Sequence, residues 1–294
     1  MKFVKMHGLG NDFIILDDTD HRQKNGREGF ETEKHCCEES ELSPELVRHF
    51  CDRHRGIGAD GVIRVCNAEH PQADFRMKLY NADGSPAKMC GNGIRCLGKY
   101  VYDYGLTGKE TLSIETKSGI RNMHLQIHGG KACGAMVDMG VPRLNAHSIP
   151  ILSEKDLVIN DPIEVQEKNY RMTGISMGNP HAVIFSEEIN GIPLEETGRK
   201  LEFHPRFPER ANIEFCHVTA RDRMEVRVWE RGVGETLACG TGACAAVVAS
   251  VLNDLTDEGV IVKLLGGELS VRWDRKVNHV FLEGPAVKVF DGVL

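Results

Sequence analysis

The chain has 294 residues, enough for two domains of ordinary size, and its 41% hydrophobic and 27% charged residues are typical of soluble globular proteins. The net charge of −7 argues against a nucleic-acid-binding surface, and no apolar run approaches the roughly 18 residues of a membrane span. The N-terminus lacks a signal-peptide core, and ten cysteines without extracellular signals favour a reducing cytoplasm. We therefore expect a cytoplasmic protein that binds neither nucleic acid nor membranes.

The first predicted elements are two strands joined by a glycine-rich turn. An apolar stretch that begins at Phe3 leads into HGLGND, and a second apolar run begins at Phe13. Asn11 lies in the turn between them, where an asparagine beside a glycine usually serves turn geometry.

Residues from about 18 to 42 are polar and charged, with few aliphatic side chains. We interpret this stretch as an insertion at the surface. His35, Cys36 and Cys37 lie within it, but they lack the spacing of paired metal ligands, so we predict no metal site.

A helix is predicted directly after the insertion. Ser43 is a typical N-cap residue, and Pro44 suits the first helical position. The predicted apolar face of this helix consists of Leu46, Val47, Phe50 and Cys51.

Strands, turns and one longer helix follow in the rest of the first half. A strand is predicted over residues 75–80, the turn NADGS follows it, and a helix begins after Cys90 and ends near Gly105. Residues 112–116 and 123–127 predict a hairpin, and residues 135–139 predict a further strand.

The second half repeats the pattern of the first. GNPHAVIF (178–185) corresponds to GNDFIIL (10–16), and RFPERANIEFCHV (206–218) corresponds to RHRGIGADGVIRV (53–65). Tyr80 corresponds to Trp229 and Cys90 to Cys239, each with an offset of 149 residues. We interpret this as a tandem duplication.

The predicted class is α+β, with two homologous domains, each a mainly antiparallel sheet or barrel wrapped around a central helix. The first domain spans residues 1–142 and is completed by a C-terminal strand over residues 280–294. The second domain spans residues 143–279. Duplicated halves of this kind predict that the two cysteine-bearing helix starts face each other across a cleft.

Each half contains a cysteine followed by a glycine-rich helix start, CGNG after Cys90 and CGTG after Cys239. The unpaired amides and the dipole at a helix N-terminus favour an anion and lower the pKa of a thiol. Two such thiols beside one carboxylate site suit inversion at a carbon that bears a hydrogen. One thiolate removes the proton from one face while the other thiol delivers a proton to the opposite face.

The motifs MHGLGNDF, NADGSPAKMCGNGIRC, SMGNPHAV, RFPERANI and ERGVGETLACGTGACA closely resemble those of the diaminopimelate epimerase family. The resemblance covers nearly the whole chain apart from the polar insertion. It implies an isomerase without a cofactor that interconverts LL- and meso-2,6-diaminopimelate, a step towards lysine and peptidoglycan precursors. It also implies that the protein forms a homodimer and that its ligand is a small-molecule substrate, diaminopimelate.

The resemblance also assigns roles to residues of this chain. Cys90 and Cys239 are the implied catalytic base and acid, and His181 and Glu230 match residues that adjust the ionisation of these thiols. The implied substrate-binding residues are Asn11, Asn81, Gly91, Asn92, Asn179, Asn212, Glu230, Arg231, Gly240 and Thr241. A bidentate arginine such as Arg231 suits the carboxylate of the second amino-acid head of diaminopimelate.

One position departs from the family pattern: Gly61 stands where some relatives have a glutamine that touches the substrate. The remaining cysteines are interpreted as buried small hydrophobes or loop residues. They are Cys36, Cys37, Cys51, Cys66, Cys96, Cys133, Cys216 and Cys244. Two alternatives stay open, a racemase of another amino acid on the same scaffold and a non-catalytic ligand-binding or thiol-redox protein.

Overall fold

The computed structural model describes residues 1–19 and 41–294. Most of the predicted insertion, including His35, Cys36 and Cys37, therefore lies outside the described residues. The chain divides into two compact units, Met1–Val137 with Gly284–Leu294, and Asp138–Glu283. Within the described ranges, no helix is long and apolar enough to cross a membrane.

The described part of the chain contains eighteen strands and four α-helices. The elements from the N-terminus to the middle of the chain are β1 (Lys2–Gly8), β2 (Asn11–Asp17), α1 (Pro44–Cys51), β3 (Gly61–Asn67), β4 (Phe75–Asn81), β5 (Pro86–Ala87), α2 (Gly91–Asp103), β6 (Thr111–Thr116), β7 (Gly119–His128) and β8 (Lys131–Gly140). The elements that follow are β9 (Asp161–Val165), β10 (Lys168–Ser176), β11 (Pro180–Phe185), α3 (Leu194–Glu202), β12 (Asn212–Ala220), β13 (Arg223–Glu230), β14 (Gly234–Thr236), α4 (Gly240–Leu252), β15 (Gly259–Leu264), β16 (Gly267–Asp274), β17 (His279–Pro285) and β18 (Val287–Val293).

Both units use the same order of strand pairings. In the first unit β1 and β2 are antiparallel, β2 and β3 parallel, β3 and β4 antiparallel, and β4 and β6 parallel. In the second unit β10 and β11, β11 and β12, β12 and β13, and β13 and β15 repeat this sequence of orientations. The predicted α+β class with two mainly antiparallel halves is confirmed.

Each unit surrounds one long helix with its strands. Ile94, Leu97 and Val101 of α2 are fully buried, and this helix packs against β1, β2, β3, β4 and β7. In α4 the alanine and valine side chains are fully buried from Ala243 to Ala249, and the helix packs against β10, β11, β12, β13, β15 and β16. A helix that is apolar on all sides belongs in a core, so the alanine- and valine-rich sequence makes α4 central.

The helix predicted after the insertion is α1. Ser43 caps it by accepting a hydrogen bond from the Leu46 amide at 3.2 Å, and Pro44 is its first residue. Val47 and Phe50 are buried as expected, but Leu46 is 36% exposed, so its assignment to the apolar face is wrong. Leu46 lies in the first turn of the helix, where Pro44 and Glu45 are exposed as well.

The C-terminal stretch contains two strands where one was predicted over residues 280–294. β17 ends at Pro285, and β18 begins at Val287 and pairs with β1 in antiparallel orientation. The break falls at Ala286, which is buried and donates its amide to Cys133 O at 3.1 Å.

Most described cysteines match their predicted environments. Cys51, Cys96, Cys216 and Cys244 are buried, and Cys133 is exposed. Cys66 is buried in β3 but is disulfide-bonded, which differs from the expectation of a buried thiol.

Candidate active site

Cys90 lies at the start of α2 in the first unit. It is the N-cap residue, with extended backbone angles (φ −141°, ψ 123°), and the helix begins at Gly91. The first amides of a helix have no intrahelical partner, so Gly91 and Asn92 contribute to an anion-favouring end. The Cys90 thiol donates to Asn11 Oδ1 at 3.5 Å, and Asn92 Nδ2 donates to the same oxygen at 3.2 Å.

Asp60 fixes the orientation of Asn11. Asn11 Nδ2 donates to Asp60 Oδ2 at 3.0 Å, which leaves Oδ1 turned towards Cys90. Arg53 donates to Asp60 at 2.8 Å and to both carboxylate oxygens of Asp12 at 2.8 and 3.0 Å. This charged network therefore determines that Oδ1 of the Asn11 side chain, and not Nδ2, faces the Cys90 thiol.

Asp12 is the most strongly stabilised carboxylate of this network. Burial raises the pKa of Asp12, but hydrogen bonds and charges from Arg53 and Lys5 lower it more, to about 2. Lys5 lies 2.8 Å from Asp12 Oδ2 in an ion pair whose side chains are 8% and 15% exposed.

Cys239 has the matching position in the second unit, as the N-cap of α4 (φ −115°, ψ 112°). Its Sγ accepts a hydrogen bond from the Gly242 amide at 3.4 Å and lies 3.5 Å from Thr241 Oγ1. Gly240 and Thr241 provide the first amides of the helix. A side chain at Gly242 would place its Cβ 2.8 Å from Glu214 Oε1, so it would displace this buried carboxylate.

The ionisation of Cys239 differs from the expectation of a lowered pKa. Burial, and then the carboxylates of Glu230 and Glu214, raise the pKa of the Cys239 thiol well above its usual value. The hydrogen bonds from Thr241 and Gly242 act in the opposite direction but are outweighed. Burial also raises the pKa of Glu230, although Thr236 Oγ1 donates to its carboxylate at 2.6 Å.

A chain of polar contacts connects a buried carboxylate to Cys239. Glu214 Oε1 lies 2.7 Å from Nδ1 of His181, and both side chains are fully buried. His181 Nε2 lies 3.0 Å from Asn179 Oδ1, and Asn179 Nδ2 donates to Thr241 Oγ1 at 3.3 Å. His181, Asn179 and Thr241, which the sequence predicted separately, are thus brought together beside Cys239.

Asn212 and Arg231 meet at the end of β13. The Asn212 side chain is buried; it donates to Pro180 O at 2.9 Å and accepts from the Arg231 amide at 2.9 Å. Arg231 is exposed and donates from Nη1 to Glu209 O at 2.8 Å. Asn212 therefore supports the backbone that carries Arg231.

In the first unit, Gly61 at the start of β3 is paired with Asn81 at the end of β4. Asn81 is exposed, and its Nδ2 donates to Ser85 Oγ at 3.0 Å within the predicted turn. A Cβ at Gly61 would lie 2.5 Å from Tyr80 O, so the backbone here leaves no room for the glutamine of some relatives.

Sequence reasoning missed Asp60, Glu202 and Glu214. Glu214 stands between Ile213 and Phe215 in a strand, and a charged residue amid fully buried neighbours is a signal that could have identified it. Its Oε2 has no hydrogen-bond partner among the residues that the structure describes. Within those same residues, no cluster of three or more histidine, cysteine, aspartate or glutamate side chains could hold a metal ion.

Comparison with known proteins identifies close relatives. The family model described as diaminopimelate epimerase matches residues 3–145 and 173–289. The chain is 47% identical to the diaminopimelate epimerase of Acetivibrio thermocellus over 293 residues, covering 99% of this chain and 98% of that protein. It is 45% identical to the diaminopimelate epimerase of Methanococcus maripaludis over 292 residues, with 99% of each chain covered.

Solved structures share the fold at much lower identity. A probable proline racemase from Agrobacterium radiobacter has a TM-score of 0.70 and 13% identity, with 100% of this chain and 92% of that chain covered. A hydroxyproline epimerase from Agrobacterium vitis has a TM-score of 0.69 and 14% identity, with 99% and 90% covered. At such identities the likeness concerns the fold alone.

Proposed function

Because this chain belongs to the diaminopimelate epimerase family, we propose that it is an isomerase that interconverts LL- and meso-2,6-diaminopimelate. The observation that carries the proposal is the match to curated diaminopimelate epimerases over nearly the full chain, with both cysteine motifs intact. The product would serve the synthesis of lysine and of peptidoglycan precursors.

The proposed reaction uses Cys90 and Cys239 as a base and an acid on opposite faces of one α-carbon. The thiolate of one cysteine takes the α-proton, and the electron pair of the broken C–H bond moves into the α-carboxylate. The thiol of the other cysteine then gives its proton to the carbon from the opposite face. The helix amides of Gly91, Asn92, Gly240 and Thr241 would stabilise the charge that develops on the carboxylate.

The raised pKa of Cys239 supports its role as the proton donor in one direction. A thiol with a raised pKa stays protonated at neutral pH, which an acid requires. Glu230, whose own pKa is raised by burial, lies within hydrogen-bonding reach of Cys239 and could return the proton between turnovers. His181 would act on the ionisation of this site through Asn179 and Thr241.

The distal amino-acid head of the substrate would be held by Arg231, with Asn11, Asn81, Asn179 and Asn212 as neutral hydrogen-bonding groups. Arg231 is exposed, and its described side-chain hydrogen bond uses Nη1. We expect Arg231→Ala to lower kcat/KM for diaminopimelate strongly and Arg231→Lys to restore only part, because an ammonium cannot reproduce a bidentate contact. An unchanged ratio of kcat/KM for diaminopimelate to that for lysine would remove Arg231 as the selector.

The direct test is incorporation of solvent deuterium at the α-carbon. LL-diaminopimelate, lysine, histidine and proline are incubated separately with the enzyme in D2O and analysed by mass spectrometry and chiral chromatography. We expect deuterium and meso product from diaminopimelate, and little exchange with the other amino acids. Exchange into proline or another amino acid without exchange into diaminopimelate would favour the alternative hypothesis of a racemase that acts on another amino acid.

We also propose a homodimer formed through β18. The five residues from Val287 to Asp291 are all exposed, and Val287, Val289 and Phe290 are 42–53% exposed. Exposed apolar strands at a sheet surface favour pairing with another copy of the chain. Val289→Asp should lower the mass measured by sedimentation equilibrium, whereas Leu265→Asp, which changes another exposed apolar residue, should not.

We further propose that the protein is cytoplasmic and that its two halves arose by duplication. Seven of the eight described cysteines carry no disulfide, Cys66 being the exception, and two of the seven must stay reduced to act as proposed, which a reducing compartment supports. The repeated order of strand pairings supports two homologous halves with a boundary along the chain near residue 142, and the pairing of β18 with β1 supports the assignment of the C-terminal strand to the first half.

A further inference from the structure

The turn that carries Glu230 and Arg231 is held from one side by a single carboxylate. Glu202 Oε2 accepts a hydrogen bond from Trp229 Nε1 at 2.8 Å, and Oε1 accepts one from the Gly232 amide at 2.9 Å. The two oxygens therefore bind Trp229 and Gly232, the residues on either side of Glu230 and Arg231.

The position of Glu202 is unfavourable unless it makes these contacts. It is the last residue of α3, where the negative end of the helix dipole opposes a carboxylate, and it is only 3% exposed. Burying a charge is costly unless hydrogen bonds and a counter-charge compensate. The two N–H donors and Arg210, whose Nη1 lies 3.8 Å away, provide that compensation.

The helix is shaped to bring Glu202 to this place. Gly198 lies one turn earlier on the same face of α3, and a Cβ there would fall 2.8 Å from Trp229 Cβ. The missing side chain lets α3 lie against Trp229 closely enough for Glu202 to reach both donors.

The other side of the turn has its own supports. The Arg231 amide donates to Asn212 Oδ1 at 2.9 Å, and the Val233 amide donates to Glu230 O at 3.0 Å. Glu230 is held in addition by Thr236 Oγ1 at 2.6 Å. Loss of Glu202 would therefore release the Gly232 end of the Arg231–Gly232 peptide, while the Arg231 amide and the Glu230 carboxylate keep their own partners.

We propose that Glu202 is a positioning residue that fixes the Arg231–Gly232 backbone and thereby the grip of Arg231 on the distal carboxylate of the substrate. This inference rests on the proposed function only for the identity of the substrate. Glu202 itself does not touch the reacting atoms. It selects the substrate through the geometry of the turn.

The test compares Glu202→Gln with wild type in two measurements. A glutamine presents one oxygen and one NH2 group, so one of the two N–H donors faces another donor and loses its acceptor. We expect KM for diaminopimelate to rise about tenfold or more, with kcat changed by less than about threefold, as for other residues that orient a binding group. Hydrogen–deuterium exchange in the peptide over residues 229–236 should accelerate about tenfold without substrate.

Glu195→Gln is the matched control, because it makes the same chemical change on the same helix, at an exposed residue that lines the same surface cavity as Glu202. It should leave both measurements unchanged. Trp229→Phe removes one of the two hydrogen bonds and should give a smaller rise in KM.

Faster hydrogen–deuterium exchange in Glu202→Gln with an unchanged KM would show that the contact is only structural and would overturn the proposal. Unchanged exchange would also overturn it, because Glu202 would then not hold the turn. If wild type does not act on diaminopimelate, the proposed function fails, while the exchange result still decides whether Glu202 holds the turn.

Discussion

At the level of single residues, the ionisation of Cys239 results from two opposing influences. The amide of Gly242 and the hydroxyl of Thr241 favour the thiolate, as the start of a helix should. Burial and the carboxylates of Glu230 and Glu214 favour the thiol, and together they raise its pKa. A helix N-terminus thus does not determine the pKa of a cysteine when buried carboxylates lie nearby.

Replacing Glu214 by glutamine should therefore make Cys239 more acidic. The substitution removes one of the two negative charges that raise the Cys239 pKa while keeping the shape of the side chain. We expect the midpoint of Cys239 alkylation by iodoacetamide, followed by peptide mass spectrometry as a function of pH, to move to lower pH. Glu225→Gln, which makes the same change in net charge at a half-buried side chain that does not influence the Cys239 pKa, should leave the midpoint in place; an upward shift in Glu214→Gln would contradict the electrostatic explanation.

Asp12 should make stability depend on pH in the acid range. Its pKa falls from 3.8 to about 2 on folding, so the ionised form stabilises the native state above pH 4, and this contribution is lost as the pH falls towards 2. The shift corresponds to about 2 kcal/mol. Urea unfolding between pH 5 and 2 should show a loss in wild type that is about 2 kcal/mol larger than in Asp12→Asn.

Asp254→Asn provides the control for this measurement, because its side chain is 95% exposed. Its unfolding free energy should follow that of wild type at every pH. Equal acid destabilisation in wild type and Asp12→Asn would show that the network of Lys5, Arg53 and Asp12 adds nothing to stability.

The residues that the sequence identified best are those within short motifs. Asn179, His181 and Thr241 lie in SMGNPHAV and CGTG, and the structure brings them together beside Cys239. Glu202 and Glu214 could not be assigned in this way, because the partners of a buried carboxylate are set by tertiary packing. Their roles, like those of the other site residues, stay predictions.

At the level of elements, the first turn of α4 is more tightly constrained than that of α2. A Cβ at Gly242 would meet Glu214 Oε1 at 2.8 Å, in a region of buried charge. At Gly93, the corresponding position of α2, the nearest atom would be the terminal methyl of Ile63 at 3.0 Å, which can move. The two matching glycines therefore differ in what they tolerate.

Gly242→Ala should accordingly lose more stability and activity than Gly93→Ala. Alanine alone favours a helix over glycine by roughly 0.5–1 kcal/mol, so a net loss of stability would report the contact with Glu214. Thermal unfolding and kcat/KM measure the effect, with Gly259→Ala as a control because its Cβ would meet nothing within 4 Å. A Gly242→Ala protein as stable and active as wild type would mean that the first turn can shift freely.

Sequence patterns identified the long central helices but not α3. The apolar helix α4 and the capped helix α1 have clear local signals. In contrast, α3 has nine residues, among them Thr197 and Gly198, which are poor helix formers, and its packing against Trp229 decides its structure. Strands β9 and β10 were missed as well, because β9 has only five residues and contains Pro162, and the second half of β10 is buried without alternation.

At the level of the whole molecule, a duplication was predicted because short motifs recur in the same order in both halves, although the spacing between the motifs differs. The parallel pair of β2 and β3 aligns Phe13 with Gly61, and the parallel pair of β11 and β12 aligns His181 with Asn212. Each half thus places a motif turn beside the start of its central helix. What each half adds to the site is different, because carboxylates surround Cys239 while Asn11 accepts the thiol hydrogen of Cys90.

This difference leads to the last prediction, that neither half replaces the other. Cys90→Ala and Cys239→Ala should each lower epimerisation at least about a hundredfold, because a two-base inversion needs a proton acceptor and a proton donor on opposite faces. The exposed Cys133→Ala is the control and should keep wild-type turnover. Conversion of LL- to meso-diaminopimelate, followed by chiral chromatography, is the measurement. Near-normal turnover in either active-site variant would mean that one thiol serves both faces, and the equivalence of the two halves would then be structural rather than chemical.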